Sequence, residues 1–308
     1  MYRYLARRLL QAIPVLIGTT LLIYLMVYLL PGDPARALAG DRRSDPVVVD
    51  MLREKYHLDD PFLVQYWHYI TGIVQGDFGT TVRGRDVGEI MSERFPWTVN
   101  LALTAIVIEA VVGVVAGIMA ALRRGKFFDN LVLIATLMMI SIPTFVTGFI
   151  LQLLVGVEWK ILPVSFNEED GFKAYILPGY VLASLSLAYV TRLMRTSLVE
   201  TMRSDYVRTA VAKGLPQQRV VLRHGVRNAL IPVITFLGAD LGALMGGAII
   251  TERIFNIPGV GGQLAQSVYL RERPVVVGMV TALVLIYIVA NLLVDMLYAV
   301  LDPRIRYE

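Results

Sequence analysis

The stretch TVNLALTAIVIEAVVGVVAGIMAAL, residues 98–122, decides the fold class, because its 25 residues hold a single charged side chain, Glu109. The hydrocarbon layer of a bilayer needs roughly 20 apolar residues of helix, so this stretch is long enough to cross one. Working outward in both directions, five more blocks of similar character lie at about 9–30, 130–155, 175–194, 229–250 and 275–301. The whole chain is 56% hydrophobic and 18% charged, with a mean hydropathy of +0.61. A soluble domain carries about 25% charge, so a water-soluble enzyme is excluded. The expectation is an all-α integral membrane protein with six transmembrane helices.

The first block follows Arg3, Arg7 and Arg8, and Ala37-Leu38-Ala39 mimics a signal-peptide cleavage site. A signal core spans about 7–15 apolar residues, whereas this run is longer, so it reads as a retained helix. Orientation follows from Lys and Arg in short loops. Sixteen of the 29 basic residues fall on one side: the N-terminal three, Arg123, Arg124, Lys126, eight in the 192–227 region, and Arg304 and Arg306. The opposite short loops hold five, so both termini are expected in the cytoplasm. Residues 31–97 open with Pro31-Gly32-Asp33-Pro34, which turns the chain away from a helix. They continue with mixed apolar and charged residues at helical spacing from 47 to 74. An amphipathic helical lobe on the outer face is expected there. The domain reading is therefore 1–30, N-terminus and first span; 31–97, outer lobe; 98–308, a five-helix core with a cytoplasmic loop at about 195–228.

Several chemistries are missing from the sequence. With no cysteine there is no disulfide framework and no thiolate metal site. No Gly-x4-Gly-Lys-Ser/Thr phosphate cradle occurs. His57, His68 and His224 are scattered and lack zinc-ligand spacing, so no metal is assigned. The formal charge of +4 gives no reason to invoke nucleic acid.

The informative loop is Asp205-Tyr206-Val207-Arg208-Thr209-Ala210-Val211-Ala212-Lys213-Gly214-Leu215-Pro216. Val207, Ala210, Val211 and Gly214 follow i, i+3, i+4, i+7 spacing, which predicts one small apolar helix face. Gly214 suits a left-handed helix end, and Pro216 suits the first position of a following helix, which then carries Arg219, Arg223 and Arg227. By residues alone, this is either a docking surface or a solvated basic loop that sets topology.

At this point the chain resembles the membrane subunits of ABC importers, whose cytoplasmic loop carries a Glu-Ala-Ala pattern followed by Gly. Arg208, Thr209 and Ala210 fall on the Glu-Ala-Ala positions and Gly214 on the Gly. The first two depart from the broad pattern, and a proline comes late, at Pro232. Those departures match the dipeptide/oligopeptide/nickel branch, as do Gly76-Asp77-Phe78-Gly79, Arg94-x-Pro96, Arg223-His224-x3-Asn228-Ala229-Leu230-Ile231-Pro232, Pro258-Gly259-x-Gly261 and Leu301-Asp302-Pro303-Arg304-Ile305-Arg306-Tyr307. The resemblance is to the first of two paired permeases. It implies an ABC type I importer bundle in the cell membrane, with a second permease as heterodimer partner, two ATP-binding subunits and an extracytoplasmic substrate-binding protein. It further implies that this chain is non-catalytic and binds no cofactor, ATP and Mg residing on the partner ATPases. Asp205, Tyr206, Arg208, Thr209, Ala210, Ala212, Lys213, Gly214 and Leu215 then form the ATPase-coupling loop. The solute that the resemblance implies is a dipeptide or oligopeptide, within a family that also handles glutathione and nickel chelates.

Ionisable groups at membrane depth cost about 2.5–3.5 kcal/mol on insertion scales and are functional hypotheses by default. Asp240 sits near the middle of the fifth block beside Gly238, Gly242 and Gly246, a small-residue stripe suited to helix packing. At 100° per residue it points away from that stripe, either toward a translocation path or toward a structural partner. Glu109 is the second path candidate. Asn291 and Asp295 share a face and suit hydrogen bonding between helices. Pro143, Gly148 and Pro178 read as packing features more readily than as hinges, and 251–274 as a flexible turn. The alternative function is an ion-coupled secondary transporter using Asp240 or Glu109.

Overall fold

A computed structural model describes the chain except for residues 1, 30–32, 40–44, 56, 82–83, 271 and 302–308. Pro31, Gly32 and the tail motif beyond Leu301 therefore lie outside the described residues, as do the side chains of Asn291 and Asp295. The described residues are helical apart from turns and one isolated antiparallel bridge between Thr80 and Asp86. Among the described residues three helices are long and apolar enough to cross a membrane: Val87–Leu122, Lys173–Thr201 and Gln217–Phe255. A fourth crossing is possible through a bent pair, Phe127–Ser141 with Thr144–Glu158. Shorter apolar runs, Leu10–Met26 and Val275–Ala290, occupy the first and last helices.

The chain forms two compact units, one made of residues 1–98 with 257–308 and the other of 99–256. In the first, helix α1 (Tyr2–Tyr28) packs on α14 (Arg273–Leu301). Between them in sequence come α2 (Pro34–Ala39), α3 (Pro46–Lys55), α4 (Phe62–Val74) and the start of α5 (Val87–Ile108). Aromatic rings hold α4 to α1: Tyr24 meets Phe62, Tyr66 and Tyr69 at centroid distances of 5.2–5.8 Å. The phenols also find partners, as buried tyrosines usually do. The hydroxyls of Tyr66 and Thr20 are 2.9 Å apart, and Tyr69 bonds to the Val277 carbonyl and to Thr281. Burial pushes the Tyr69 phenol well above its usual range, so it serves as a neutral donor. Nearby, Asp33 accepts from the Arg53 guanidinium at 2.6 Å and from the Ala35 amide at 3.0 Å. Partial burial raises its pKa, but these donors more than offset that and leave it below the ordinary carboxylate value.

The loop 76–79 owes its course to glycine. Gly76 and Gly79 take φ of 85° and 88°, and a side chain on Gly278 would meet the Phe78 carbonyl oxygen at 2.5 Å. The expectation of a flexible turn at 251–274 is corrected. Helix α12 (Arg227–Phe255) runs through its first part, Asn256 closes that helix in a left-handed conformation, and α13 (Val260–Tyr269) begins four residues on. The Val260 amide donates to Thr98 Oγ1 at 2.9 Å.

The second unit is organised around α9 (Lys173–Thr201), which packs against α6 (Val114–Leu122), α7 (Phe127–Ser141), α8 (Thr144–Leu151) and α12. Within its apolar window 72% of residues are buried, against 28% for the other two long helices. Helix α9 is therefore the core, and its neighbours show most of their apolar surface outward. Leu103, Val107, Val111 and Val115, each four residues apart, are all exposed, a stripe of the kind that lipid covers. The 130–155 block is not straight: the chain bends by 107° between α7 and α8. Pro143 sits at that break, where its missing N–H and ring prevent a helix from continuing. Pro178, by contrast, lies inside unbroken α9.

Candidate functional site

The 205–226 segment is a helical hairpin. Helix α10 (Asp205–Ala212) places Asp205 in its first turn, where a carboxylate suits the positive end of the helix dipole. It ends in a Schellman arrangement: Gly214 N donates to Val211 O at 2.9 Å and Leu215 N to Ala210 O at 3.4 Å, with Gly214 at φ 74°. That left-handed geometry favours glycine. Pro216 lies one position earlier than expected, as the residue preceding the next helix, α11 (Gln217–Arg219). A π-helical stretch, Val220–Val226, follows and leads without interruption into α12.

The hairpin core consists of Val207, Ala210 and Val220, with Met202 and Leu215 packed against it. The expected four-residue apolar face is thus halved, because Val211 is 60% exposed and Gly214 is open to solvent. Asp205, Tyr206, Arg208, Thr209, Ala212 and Lys213 are exposed as well, and Leu215 is half-buried. Tyr206 is fixed by a hydrogen bond from Asn228 at 3.1 Å. Arg208 and Asp205 approach to 3.6 Å, both well exposed, a pairing that contributes little. The second arm approaches the end of α9 closely at Gly225, where an added Cβ would lie 2.8 Å from Met202 Sδ.

Glu109 and Asp240, singled out separately in the sequence, come together. Glu109 opens a π-helical stretch, Glu109–Gly113, and is fully buried. Its carboxyl lies close enough to Asp240 to feel that charge, with Ser186 of α9 beside it. Both Glu109 oxygens and Asp240 Oδ2 are buried without a hydrogen-bond partner among the described residues. Two carboxyls that meet in an apolar surround, with a serine hydroxyl beside them, form a buried acidic pair. Of the α12 glycines, Gly242 is buried, Gly238 half-buried and Gly246 exposed.

Comparison with known proteins identifies the chain. A family described as binding-protein-dependent transport system inner membrane component matches residues 113–307, and its N-terminal companion matches residues 1–102. The chain belongs to this permease family. It is 41% identical over 309 residues, the full length of both chains, to the glutathione transport system permease protein GsiC of Salmonella typhimurium strain LT2. The Escherichia coli K12 protein of the same name is equally similar. The chain is therefore an ABC importer permease of the peptide and nickel type, a multi-pass protein of the inner membrane. Membership of the family implies a paired permease, ATPase subunits and a binding protein.

Two features of this permease escape a reading of its sequence. Asp129, buried to 1% side-chain exposure, accepts from Arg195 Nε at 2.5 Å and Nη2 at 2.7 Å. Its Oδ2 also accepts from the Gly125 amide at 2.8 Å. This bidentate pair clamps the start of α7 to the α9 end that precedes the hairpin. The second feature is Gly113 and Gly117. A side chain on Gly113 would meet Val190 at 2.8 Å, and one on Gly117 would meet the Thr191 carbonyl oxygen at 2.6 Å and Met194 at 2.7 Å. This Gly-x3-Gly pair lets the helix containing α6 sit directly against α9, and its spacing is visible in the sequence.

Proposed function

We propose that the chain is one of two paired permeases in an ATP-driven importer of peptide-type solutes, dipeptides, oligopeptides and glutathione among them. The observation that carries this reading is the hairpin 205–226. It spends Val207 and Ala210, with part of Leu215, on its own chain and leaves most of the rest of the motif facing outward. Such a surface suits a cleft on a partner ATPase. The full-length similarity to glutathione permeases supports the solute class.

In this reading the chain crosses the membrane six times with both termini cytoplasmic, supported by the basic-loop asymmetry and by helices at all six apolar blocks. Residues 1–30, 31–97 and 98–308 act as first span, outer lobe and permease core. This chain holds no cofactor, and ATP with Mg is bound by two ATPase subunits. Their closure pulls on α10, and the motion passes through α11 and the π stretch into α12, shifting the pathway between inward-open and outward-open. A binding protein delivers the solute from outside. Within the bundle, the buried acidic pair of Glu109 and Asp240 is the candidate contact for a peptide ammonium. Membership of the ABC permease family supports ATP rather than an ion gradient as the driving force.

The test uses the assembled transporter in proteoliposomes with a Gly214→Asp permease. A Cβ at Gly214 meets nothing within 4 Å in this chain, and Asp is among the residues that best tolerate a left-handed backbone. The side chain therefore projects toward the docked partner, with the modest strain that a left-handed residue bearing a Cβ carries. The expected result is ATP hydrolysis without uptake of labelled glutathione or dipeptide. Uptake at the wild-type rate would refute the docking role of the hairpin.

A further inference from the structure

The turn joining α3 to α4 gathers groups that are far apart in sequence. His57, Asp60 and His68 each offer one ligand atom, and these atoms all lie within 4.8 Å of one another. His57 Nδ1 is 3.4 Å from Asp60 Oδ2. The imidazoles of His57 and His68 stack at 4.4 Å with planes 8° apart. The histidines that seemed scattered are thus two-thirds clustered.

Three independent features bear on what this cluster does. The first is backbone: His57 adopts φ 52°, a left-handed conformation that costs a residue with a Cβ about 1–2 kcal/mol and that glycine takes freely. An imidazole stands where glycine fits more easily. The second is positioning. Gln65, itself buried, donates from Nε2 to the carbonyls of Leu58 at 2.9 Å and Asp60 at 2.8 Å. Its Oε1 accepts from Tyr24 at 3.3 Å. The turn bearing His57 and Asp60 is therefore fastened to α4 one helical turn before His68, so that all three groups are placed by one anchor. The third is charge. A pocket adjoining His57 and Asp60 is lined also by Asp50, Arg53, Glu54 and Asp59, and its one guanidinium is already engaged by Asp33 and Asp59.

Two imidazoles and one carboxylate form a donor set for zinc-type ions rather than for calcium or magnesium, which prefer oxygen alone. Bonds of about 2.0–2.2 Å in a tetrahedron put neighbouring ligand atoms about 3.3 Å apart, close to the observed His57–Asp60 spacing. The longer separations contract when the rings unstack by side-chain rotation, which their exposure permits: both histidines lie at the surface. A fourth position is left to water. We propose that His57, Asp60 and His68 form a solvent-open site for one divalent transition-metal ion of the zinc type, which clips the turn after α3 to α4.

The test takes the full chain, carrying no polyhistidine tag, purified in detergent and stripped with a chelator. Zn2+ is titrated in competition with a chromophoric chelator, and Co2+ by its visible absorption. The expected result is one ion per chain, with affinity reduced at least about tenfold in both His57→Asn and His68→Gln and unchanged in His224→Gln. Asparagine at 57 preserves the left-handed turn, so loss of binding there reports the missing imidazole. A measurement free of variants accompanies it: Zn2+ should protect His57 and His68, but not His224, from acylation by diethylpyrocarbonate read by peptide mass spectrometry. No saturable binding up to about 100-fold the protein concentration, equal affinity in the two variants and wild type, or equal acylation with and without Zn2+, would each overturn the site.

Discussion

The surroundings of α9 and the hairpin 205–226 belong to the same unit and follow opposite designs. Around α9 the close approaches are made within the chain: glycines 113, 117 and 179 bring neighbouring helices against it, and Asp129 pairs with Arg195. The hairpin closes only a small core and leaves its polar and half its apolar residues unmatched. The surroundings of α9 take their close packing and their ion pair from within the chain, whereas the hairpin leaves most of its surface unmatched, as the proposed docking on an ATPase subunit requires.

Substitutions that strike the two regions should separate on this basis. The largest loss is expected for Asp129→Ala, which leaves the Arg195 guanidinium without its buried partner. Breaking such a pair costs about 3–5 kcal/mol, and the residual 20% exposure of Arg195 puts this case at about 3, read as a lowered melting temperature in detergent. Gly117→Val should follow, at about 1–3 kcal/mol for overpacking, because the nearest obstacle is a backbone oxygen that cannot swing away. On the hairpin, Arg208→Ala with Lys213→Ala should change the melting temperature little, within about 0.5 kcal/mol, yet reduce recovery of ATPase subunits in a pull-down. A pair that destabilised the isolated chain as much as Gly117→Val would erase the distinction between the regions. Smallest of all is Gly246→Ala. An added Cβ there meets nothing within 4 Å, so the melt should be unchanged, in contrast to the other glycine row.

The hairpin was legible because everything that shapes it is local: Val207 and Ala210 three residues apart, Gly214 one turn later, and a proline to restart the helix. The apolar blocks were legible for the same reason, since hydropathy is additive along the chain. What stayed hidden depends on pairing across distance. Asp129 and Arg195 are separated by 66 residues, and nothing in either segment announces the other. The meeting of Glu109 with Asp240 required knowing which faces of two helices look at α9. Both glycine rows have the same period, so spacing alone did not say that 113 and 117 pack inside the chain while Gly246 faces outward. The break at Pro143 was underweighted because membrane helices often tolerate proline, as Pro178 in α9 shows.

Among the described residues, π-helical stretches occur at Glu109–Gly113, Gln152–Glu158 and Val220–Val226, all in the unit built on α9. A π turn holds one residue more than an α turn. The last of them lies within an unbroken helix from Gln217 to Phe255, about 58 Å long at 1.5 Å per residue. If that stretch tightened to α geometry, the rod beyond it would turn by about 100° and advance by about 1.5 Å. The helix is thus threaded like a screw: a small winding change near Val220 would carry Asp240 to a new bearing without bending anything in between.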